Sequence, residues 1–575
     1  MDRKAWVAIT LSVLGIIGWY WYVSTYYKPP PEAVVAQAPS PTPTATVASS
    51  PASAPAAAIS STTSIVASED KLFTSSAEYV FQNDTGGIEQ IHLYRHKGEN
   101  GENVTLNEKE ALPIGTLGFG TDEPLKGFEM HSDAQSAEVV FQTTTKDGIQ
   151  ITKRFHLPES GEQYLLAYEL TFKNTGSSEV TFPAFFVSAG RAAPIHDLDL
   201  STYTRFDWLE DKKSMTDIDV NWFSAKSIPL IGYQTSVEKS LYTITHEKIA
   251  WASVSSQYFC TIINSAQADG TSVWAKRFVA HMKNTKPVYG MEGGLGFSPI
   301  RLAAGETAVR KFTIYSGPKD YSILEKLGEK QQEIMKFGFF KPVSIFLLWA
   351  MNKFYSVLGS YAWSIILLTL CIKSVLWYPQ NKATQSMRRM SLLSPKMTEL
   401  RAKYKDDPTK MNEELMKLYR EYNVNPLGGC LPMLIQIPIF FGFYGMLGTA
   451  IELRNSSFLW VRDLSQPDTV FHIYGFPINV LPLVMAASML GQMLLTPKTG
   501  DATQQRFVFF MPVIYIAFSY NYASGLSLYW TTQNIFSIVQ LYLTRNQAMP
   551  TLQKKSDVVK KLALEEKKKR KQRKL

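Results

Sequence analysis

Hydrophobic and polar positions follow three regimes along the chain. From Ala5 to Tyr27 the sequence is almost continuously apolar and closes on Trp19 to Tyr22, Tyr26 and Tyr27. A run of about 20 apolar residues crosses a bilayer as a helix, and its aromatic end suits the membrane–water boundary. From Glu69 the period falls to two, as in Tyr164–Phe172 and Val309–Tyr315. Turn-forming clusters at Asn83–Gly87, Asn174–Gly176 and Gly293–Gly294 separate such runs. This pattern predicts a large antiparallel all-β sandwich of the supersandwich kind. Beyond about residue 358 long apolar runs return, roughly at Gly359–Tyr378, Leu427–Ala450, Pro477–Leu495, Phe507–Tyr522 and Leu526–Leu543. They predict a core of five transmembrane helices.

The connecting stretches carry patterns of their own. Residues 28–68 are Pro, Ala, Ser and Thr with almost no charge, a composition that predicts a disordered tether. Residues 321–357 mix Phe337, Phe339, Phe346, Trp349 and Phe354 with Lys326, Lys330, Lys336, Lys341 and Lys353. That mixture predicts an amphipathic helix lying in the membrane interface, the alternative being a helix packed on the sandwich. Between the first two spans of the core, Met387, Met390, Leu393 and Met397 recur at helical spacing, as do Met411, Leu415, Leu418 and Tyr422. Asp406, Asp407 and Pro408 lie between the two sets, where they stop one helix and start another. A helical hairpin over 380–424, with arms of about 20 residues, is expected.

The domain map is therefore an anchor at 1–27, a linker at 28–68 and a sandwich at 69–320. An interfacial region at 321–357, a helical core at 358–545 and a tail at 546–575 complete it. The anchor is expected to stay uncleaved, because the Ala36-Gln37-Ala38 site lies too far beyond the apolar stretch.

Charge orients this map. The net charge of +9 is unevenly spread: about ten Lys or Arg lie in 379–425 and about twelve after Leu543, against only Arg454 and Arg462 in 451–476. With Arg3 and Lys4, every basic segment falls on one side of six spans. That side is the cytoplasm by the positive-inside rule. Both termini are then cytoplasmic, and the sandwich faces the periplasm of a bacterial inner membrane. The three cysteines, Cys260, Cys371 and Cys430, are too scattered for a disulfide framework or a zinc site.

Reactive chemistry is scarce. Of 8 histidines only His472 lies beyond residue 340, and it is outside the apolar runs. A Ser–His intramembrane protease is thereby disfavoured, and neither HExxH nor a phosphate-binding GxxxxGK[ST] loop occurs. No catalytic residue, metal or cofactor is expected, and the protein is not read as an enzyme. One group stands out: Lys373, inside an apolar span and one turn beyond Thr369. An intramembrane charge is costly and marks function by default. Lys373 also sits near enough to the span's end to snorkel into water. Gln436, Ser524, Ser527, Thr531, Thr532, Gln533 and Asn534 make neighbouring spans unusually polar, which points to a hydrated interior.

Val424–Pro432, followed by Leu434–Phe440, resembles the signature stretch of the YidC/Oxa/Alb insertase family. Ser524–Tyr529 is similar to that family's motif in the last span, and Leu393–Lys396 to its cytoplasmic hairpin. The resemblance covers about residues 320–545. It implies a five-helix core around a hydrophilic, positively charged groove through which membrane proteins are inserted and folded, alone or with the Sec translocase. Lys373 stands where many relatives carry arginine, with Thr369 and Gln436 at groove positions. Tyr529 belongs to the last-span motif. Trp530, where close relatives often have tyrosine, together with Ile437 and Phe440, would form an apolar wall for the client. The implied partners are nascent membrane proteins, Sec translocase components, the ribosome, the signal-recognition pathway and lipid. The basic tail residues Lys567, Lys568, Lys569, Arg570 and Lys571 have the charge to meet ribosomal RNA or anionic lipid. Two other classes are weighed against this. A small-solute transporter calls for repeated, broken spans, which the unequal spacing lacks. A carbohydrate receptor would stack sugars on Trp208, Trp222, Trp251 or Trp274.

Overall fold

Period-two patterning in the first half becomes strand after strand of antiparallel sheet in a computed structural model. It describes residues 69–546 apart from 99–100, 109–110, 122, 132–137, 159–162, 197, 212–213, 228–233, 284–285, 423, 425–430 and 498–501. The expected anchor at 1–27, the linker at 28–68 and the basic tail from 547 lie outside the described residues, as does most of the 424–430 motif. The chain divides into two compact units on either side of Met335 and Lys336.

In the first unit the strands Glu138–Thr144 and Ile149–His156 alternate buried and partly exposed positions, as a sheet with one covered face requires. They belong to a 14-stranded sheet. Its middle runs through Phe185–Ala192, Lys286–Phe297, Gly270–Lys283, Tyr242–Ser255, Phe259–Ser265, Thr307–Pro318 and Leu165–Asn174. A second, four-stranded sheet spans Glu69–Leu106. Its Phe81 ring packs on Phe141 and Phe155 of the large sheet, with centroids 6.0 and 5.2 Å apart, so the two sheets face each other. Trp208 and Trp251 are fully buried, and Trp274 is 3% exposed. These three are core residues, unavailable to stack a sugar. Gly293 permits close packing: a Cβ there would lie 2.4 Å from the Phe206 ring.

Beneath the smaller sheet lies Lys153, wholly buried. Its ammonium donates to the carbonyls of Thr85, Gly86 and Gly115 at 2.7, 3.0 and 3.2 Å, and it sits 4.2 Å over the Phe128 ring. No carboxylate pairs with it among the described residues. Burial pushes its pKa well below the usual lysine range. Only a full set of acceptors makes such a position tenable.

Residues 321–357 are not one helix. Helix α1, Tyr321–Leu327, stops at Gly328 in the left-handed region (φ 77°), and a 3-10 turn follows at Gln331–Met335. After Gly338 (φ 70°), helix α2 runs Lys341–Leu358 with a proline in its first turn. Both glycines take positive φ, which other residues rarely adopt, and α1 belongs to the first unit while α2 belongs to the second.

In the second unit, α3 (Tyr361–Val375) meets α4 (Trp377–Lys403) at a 62° bend. Helix α5 is Pro408–Glu421. The arms of the hairpin are therefore unequal, 27 and 14 residues, rather than about 20 each. The first arm is longer because it continues directly out of the preceding span. Asp407 caps α5 by accepting from the Lys410 amide at 3.0 Å, and Pro408 takes the first helical position. Met390, Leu393, Met397, Leu415 and Leu418 close the hairpin on a small core with Val424.

Helices α6 (Leu431–Leu447), α7 (Val480–Leu495), α8 (Ala502–Ser519) and α9 (Ser524–Thr544) follow. α9 packs chiefly on α7 and α3, and α2 lies against α3 and α6. A Cβ at Gly442 of α6 would meet Val343 of α2 at 2.7 Å, and this closeness lets Ser344 Oγ donate to the Gly442 carbonyl at 3.0 Å. Among the described residues no single helix is both long and apolar enough to cross a membrane, although α3 and α4 pass that test together.

Candidate functional site

Helix α9 is polar on the inside and apolar on the outside. Tyr529, Gln533, Ser537, Gln540 and Thr544 recur every three or four residues and are all buried, as are Ser524, Ser527, Thr531 and Asn534. Ile535, Val539, Tyr542 and Leu543 are exposed. Exposed apolar residues continue over Leu483, Val484, Leu494 and Leu495 of α7 and Phe509, Phe510, Val513, Ile514 and Phe518 of α8. A water-soluble helix buries its apolar stripe; this inverted arrangement suits a lipid surround.

The buried polar residues form a connected column. Gln436 of α6 donates both amide hydrogens to α9, to Tyr529 Oη at 2.8 Å and to Gln533 Oε1 at 2.7 Å. Ser537 Oγ donates to the Gln533 carbonyl at 2.9 Å and accepts from Lys373 Nζ at 3.3 Å. Gln540 reaches the Trp377 carbonyl at 3.3 Å, and Arg388 donates to the Thr544 carbonyl at 3.0 Å. Asn534, on the neighbouring face, donates to Ser488 Oγ of α7 at 3.0 Å. Ser527 Oγ and Thr531 Oγ1 are buried with no hydrogen-bond partner among the described residues.

Lys373 is only 3% exposed, although α3 ends two residues later. Its ammonium is turned onto α9 and not extended toward solvent. No carboxylate pairs with it among the described residues. Thr369 is buried on the same face, but its hydroxyl is committed to the Ile365 carbonyl at 2.7 Å. The aromatic positions also come together. Trp530 sits between Phe440 and Tyr515, with centroids 4.6 and 4.4 Å away, and Tyr529 stacks on Phe443 at 4.0 Å. Ile437 and Phe440 are half-buried on α6. Asp406, Asp407 and Pro408 lie at the hairpin tip, away from this column, and Lys567–Lys571 are outside the described residues. Among the described residues no cluster of His, Cys, Asp or Glu could hold a metal.

Sequence reasoning did not single out Ser537, Tyr515 or the Asn534–Ser488 contact. The spacing of Tyr529, Gln533, Ser537 and Gln540 carries the signal for the first.

Two family profiles fit the two units. That of the 60Kd inner membrane protein matches residues 353–552, and that of the YidC periplasmic domain matches residues 74–350. The chain is 34% identical over 425 residues to the membrane protein insertase YidC of Nitratidesulfovibrio vulgaris strain Miyazaki F, covering 72% of each. The chain belongs to the YidC family of membrane protein insertases. The insertase YidC of N. vulgaris strain DP4 is 30% identical over 94% of this chain and 98% of its own length. An active YidC insertase crystal structure with the first transmembrane domain resolved aligns over 83% of this chain and 92% of its own. It does so at 20% identity and a TM-score of 0.34. The family places this chain in the inner membrane, with its β unit as the periplasmic domain.

Proposed function

We propose that this YidC-family chain inserts client membrane proteins through the polar column that contains Lys373. The observation that carries the reading is a buried cation that, among the described residues, contacts one serine hydroxyl and no carboxylate. Removing a lysine from water is expensive, and an acidic residue of an incoming client is the group that offsets this. Ser527 and Thr531 support the same reading, since their unpaired hydroxyls suit water or passing client backbone. A hydrated interior shortens the hydrocarbon a polar client segment must cross. The client's apolar residues then leave along Ile437, Phe440 and Trp530 into lipid. The membrane potential drives negative segments toward the periplasm.

The topology inferred from charge keeps both termini and the α4–α5 hairpin in the cytoplasm. The hairpin and the basic tail then lie where a ribosome and the signal-recognition pathway deliver clients, and the Sec translocase is a further partner implied by the family. The exposed Phe346 and Trp349 of α2, whose rings lie 6.0 Å apart, suit an interfacial position.

The test is site-specific photo-crosslinking in reconstituted vesicles during insertion of a short client. Probes replacing Ile437, Phe440 or Trp530 are expected to capture the client's apolar helix. A probe replacing Val484, on the lipid-facing side of α7, is not. Equal capture at all four positions would refute this path.

A further inference from the structure

The stretch between α6 and α7 contains a β-hairpin whose apolar residues are bare to an extent that soluble folds rarely show. Thr469–Ile473 pairs antiparallel with Phe476–Asn479. Val470, Phe471, His472, Ile473, Tyr474, Gly475 and Phe476 are all exposed, so neither face of the ribbon is covered. Tyr474 and Gly475 form its tip, with φ of 50° and 80°. Both central residues of such a turn lie in the left-handed region, where Asn or Gly is the ordinary choice. Here the first is a tyrosine with its ring wholly exposed. A second tip in the same stretch repeats the feature: Leu459 has φ 53° and is 76% exposed, beside a half-exposed Trp460.

We infer that the Tyr474 hairpin and the Leu459–Trp460 tip rest in the headgroup–acyl boundary of the leaflet opposite the α4–α5 hairpin, anchoring the helical unit to phospholipid. The side rests on the topology proposed above; the lipid contact does not.

Three observations point to lipid rather than to a protein partner. First, residues 469–497 contain no Asp, Glu, Lys or Arg, so the uncharged run of the hairpin continues unbroken through α7. The ribbon is thus an extension of a lipid-facing apolar surface. Second, its base is tied to the helix ends. Asp468 accepts from the Leu481 amide at 2.6 Å and from Trp460 Nε1 at 2.9 Å. Asn479 donates to the Tyr520 carbonyl at 2.6 Å, and Tyr520 Oη returns a bond to the Pro477 carbonyl at 2.6 Å. The tips are therefore held at a fixed height relative to the ends of α7 and α8. Third, α7 has 16 residues, about 24 Å at helical rise and short of a hydrocarbon core of about 30 Å. A short span draws the boundary toward itself, bringing lipid to the ribbon. Among the described residues no further strand pairs with the ribbon's outer edges, which excludes the hydrocarbon centre. Phenylalanine and tyrosine at a boundary still wetted by headgroup water satisfy both demands.

The experiment uses the full chain with Cys260, Cys371 and Cys430 replaced by alanine, reconstituted into phosphatidylethanolamine–phosphatidylglycerol vesicles. The single-cysteine variants Tyr474→Cys, Ile473→Cys, Arg462→Cys and Lys417→Cys carry an environment-sensitive fluorophore. The labels at 474 and 473 are expected to emit to the blue of the 417 label. They should lose intensity when the lipids are brominated near the top of the acyl chains, and resist aqueous iodide. The 417 label should show the reverse. Labels at 473 and 474 that iodide quenches as readily as 417, or that answer to neither quencher, would overturn the lipid anchor in favour of solvent or a protein cover. A membrane-impermeant thiol reagent that reaches positions 462 and 417 from the same face would overturn the assigned side and the proposed topology, leaving the quenching result to judge lipid contact on its own.

Discussion

Replacing Gln436 by leucine removes the cross-link between α6 and α9 while keeping most of the side-chain volume. Two hydrogen bonds are lost, to Tyr529 Oη at 2.8 Å and to Gln533 Oε1 at 2.7 Å. Tyr529 is 1% exposed and Gln533 is 9% exposed, so neither oxygen regains bulk water freely. A buried polar atom left unpaired costs about 1–3 kcal/mol, while an interhelical bond in lipid is worth about 0.6 kcal/mol on average. At the lower end for each of the two oxygens, Gln436→Leu should destabilise the helical unit by about 2 kcal/mol. Gln533→Leu alone removes only the second bond and should cost less. The double variant should recover part of the loss, because leucines then face each other. Thermal unfolding of purified protein in mild detergent, run as a double-mutant cycle, measures the coupling. A neutral Gln436→Leu, or a double variant whose loss equals the sum of the singles, would show that the bridge contributes nothing and that the column is held by packing alone.

Further outcomes follow from other parts of the chain. Lys153→Met should lower the melting temperature of the β unit, because the Thr85, Gly86 and Gly115 carbonyls lose a shared donor. Its folded pKa lies below the usual 10.5, so between those values the folded state binds fewer protons and stability rises with pH. That alkaline gain should be smaller in the variant, as read by melting curves of both proteins across pH. Deleting residues 70–310 while keeping the expected anchor at 1–27 and the chain from 321 onward should leave insertion intact in cells depleted of their own insertase, at matched expression; loss of growth would move the work into the β unit. Removing residues 553–575 should weaken ribosome cosedimentation most at low salt, as expected of a charge-driven contact. Equal sedimentation of the full and truncated chains would take the tail out of the mechanism.

Local patterning was enough to read the sandwich and the hairpin core from the chain. Alternation in Leu165–Asn174 appears directly as alternating burial, and the three-to-four spacing of Met390, Leu393 and Met397 becomes one packed face. The break in 321–357 was also written locally, in Gly328 and Gly338, but the surrounding apolar and basic residues masked it. The ribbon at Thr469–Asn479 straddles the expected boundary: residues 469–476 fall in the connecting stretch 451–476, and Pro477, the expected start of the next span, lies in a strand instead. What no local pattern could supply is pairing across the core. Gln436 and Gln533 are 97 positions apart and Lys373 and Ser537 are 164 apart, so their meeting depends on how α3, α6 and α9 pack. The sequence also left Lys373 free to snorkel, and only its neighbours on α9 decide otherwise.

The most direct test of the polar column is insertion of a short client with an acidic translocated tail into vesicles containing the purified protein with Lys373, Lys373→Arg, Lys373→Ala or Lys373→Glu. Protease protection of the tail gives the readout, and a client with a neutral tail serves as control. Arginine is expected to support insertion of the acidic client, alanine to slow it and glutamate to block it, with the neutral client much less affected. Normal insertion of the acidic client by both the alanine and the glutamate variants would contradict the role proposed for Lys373.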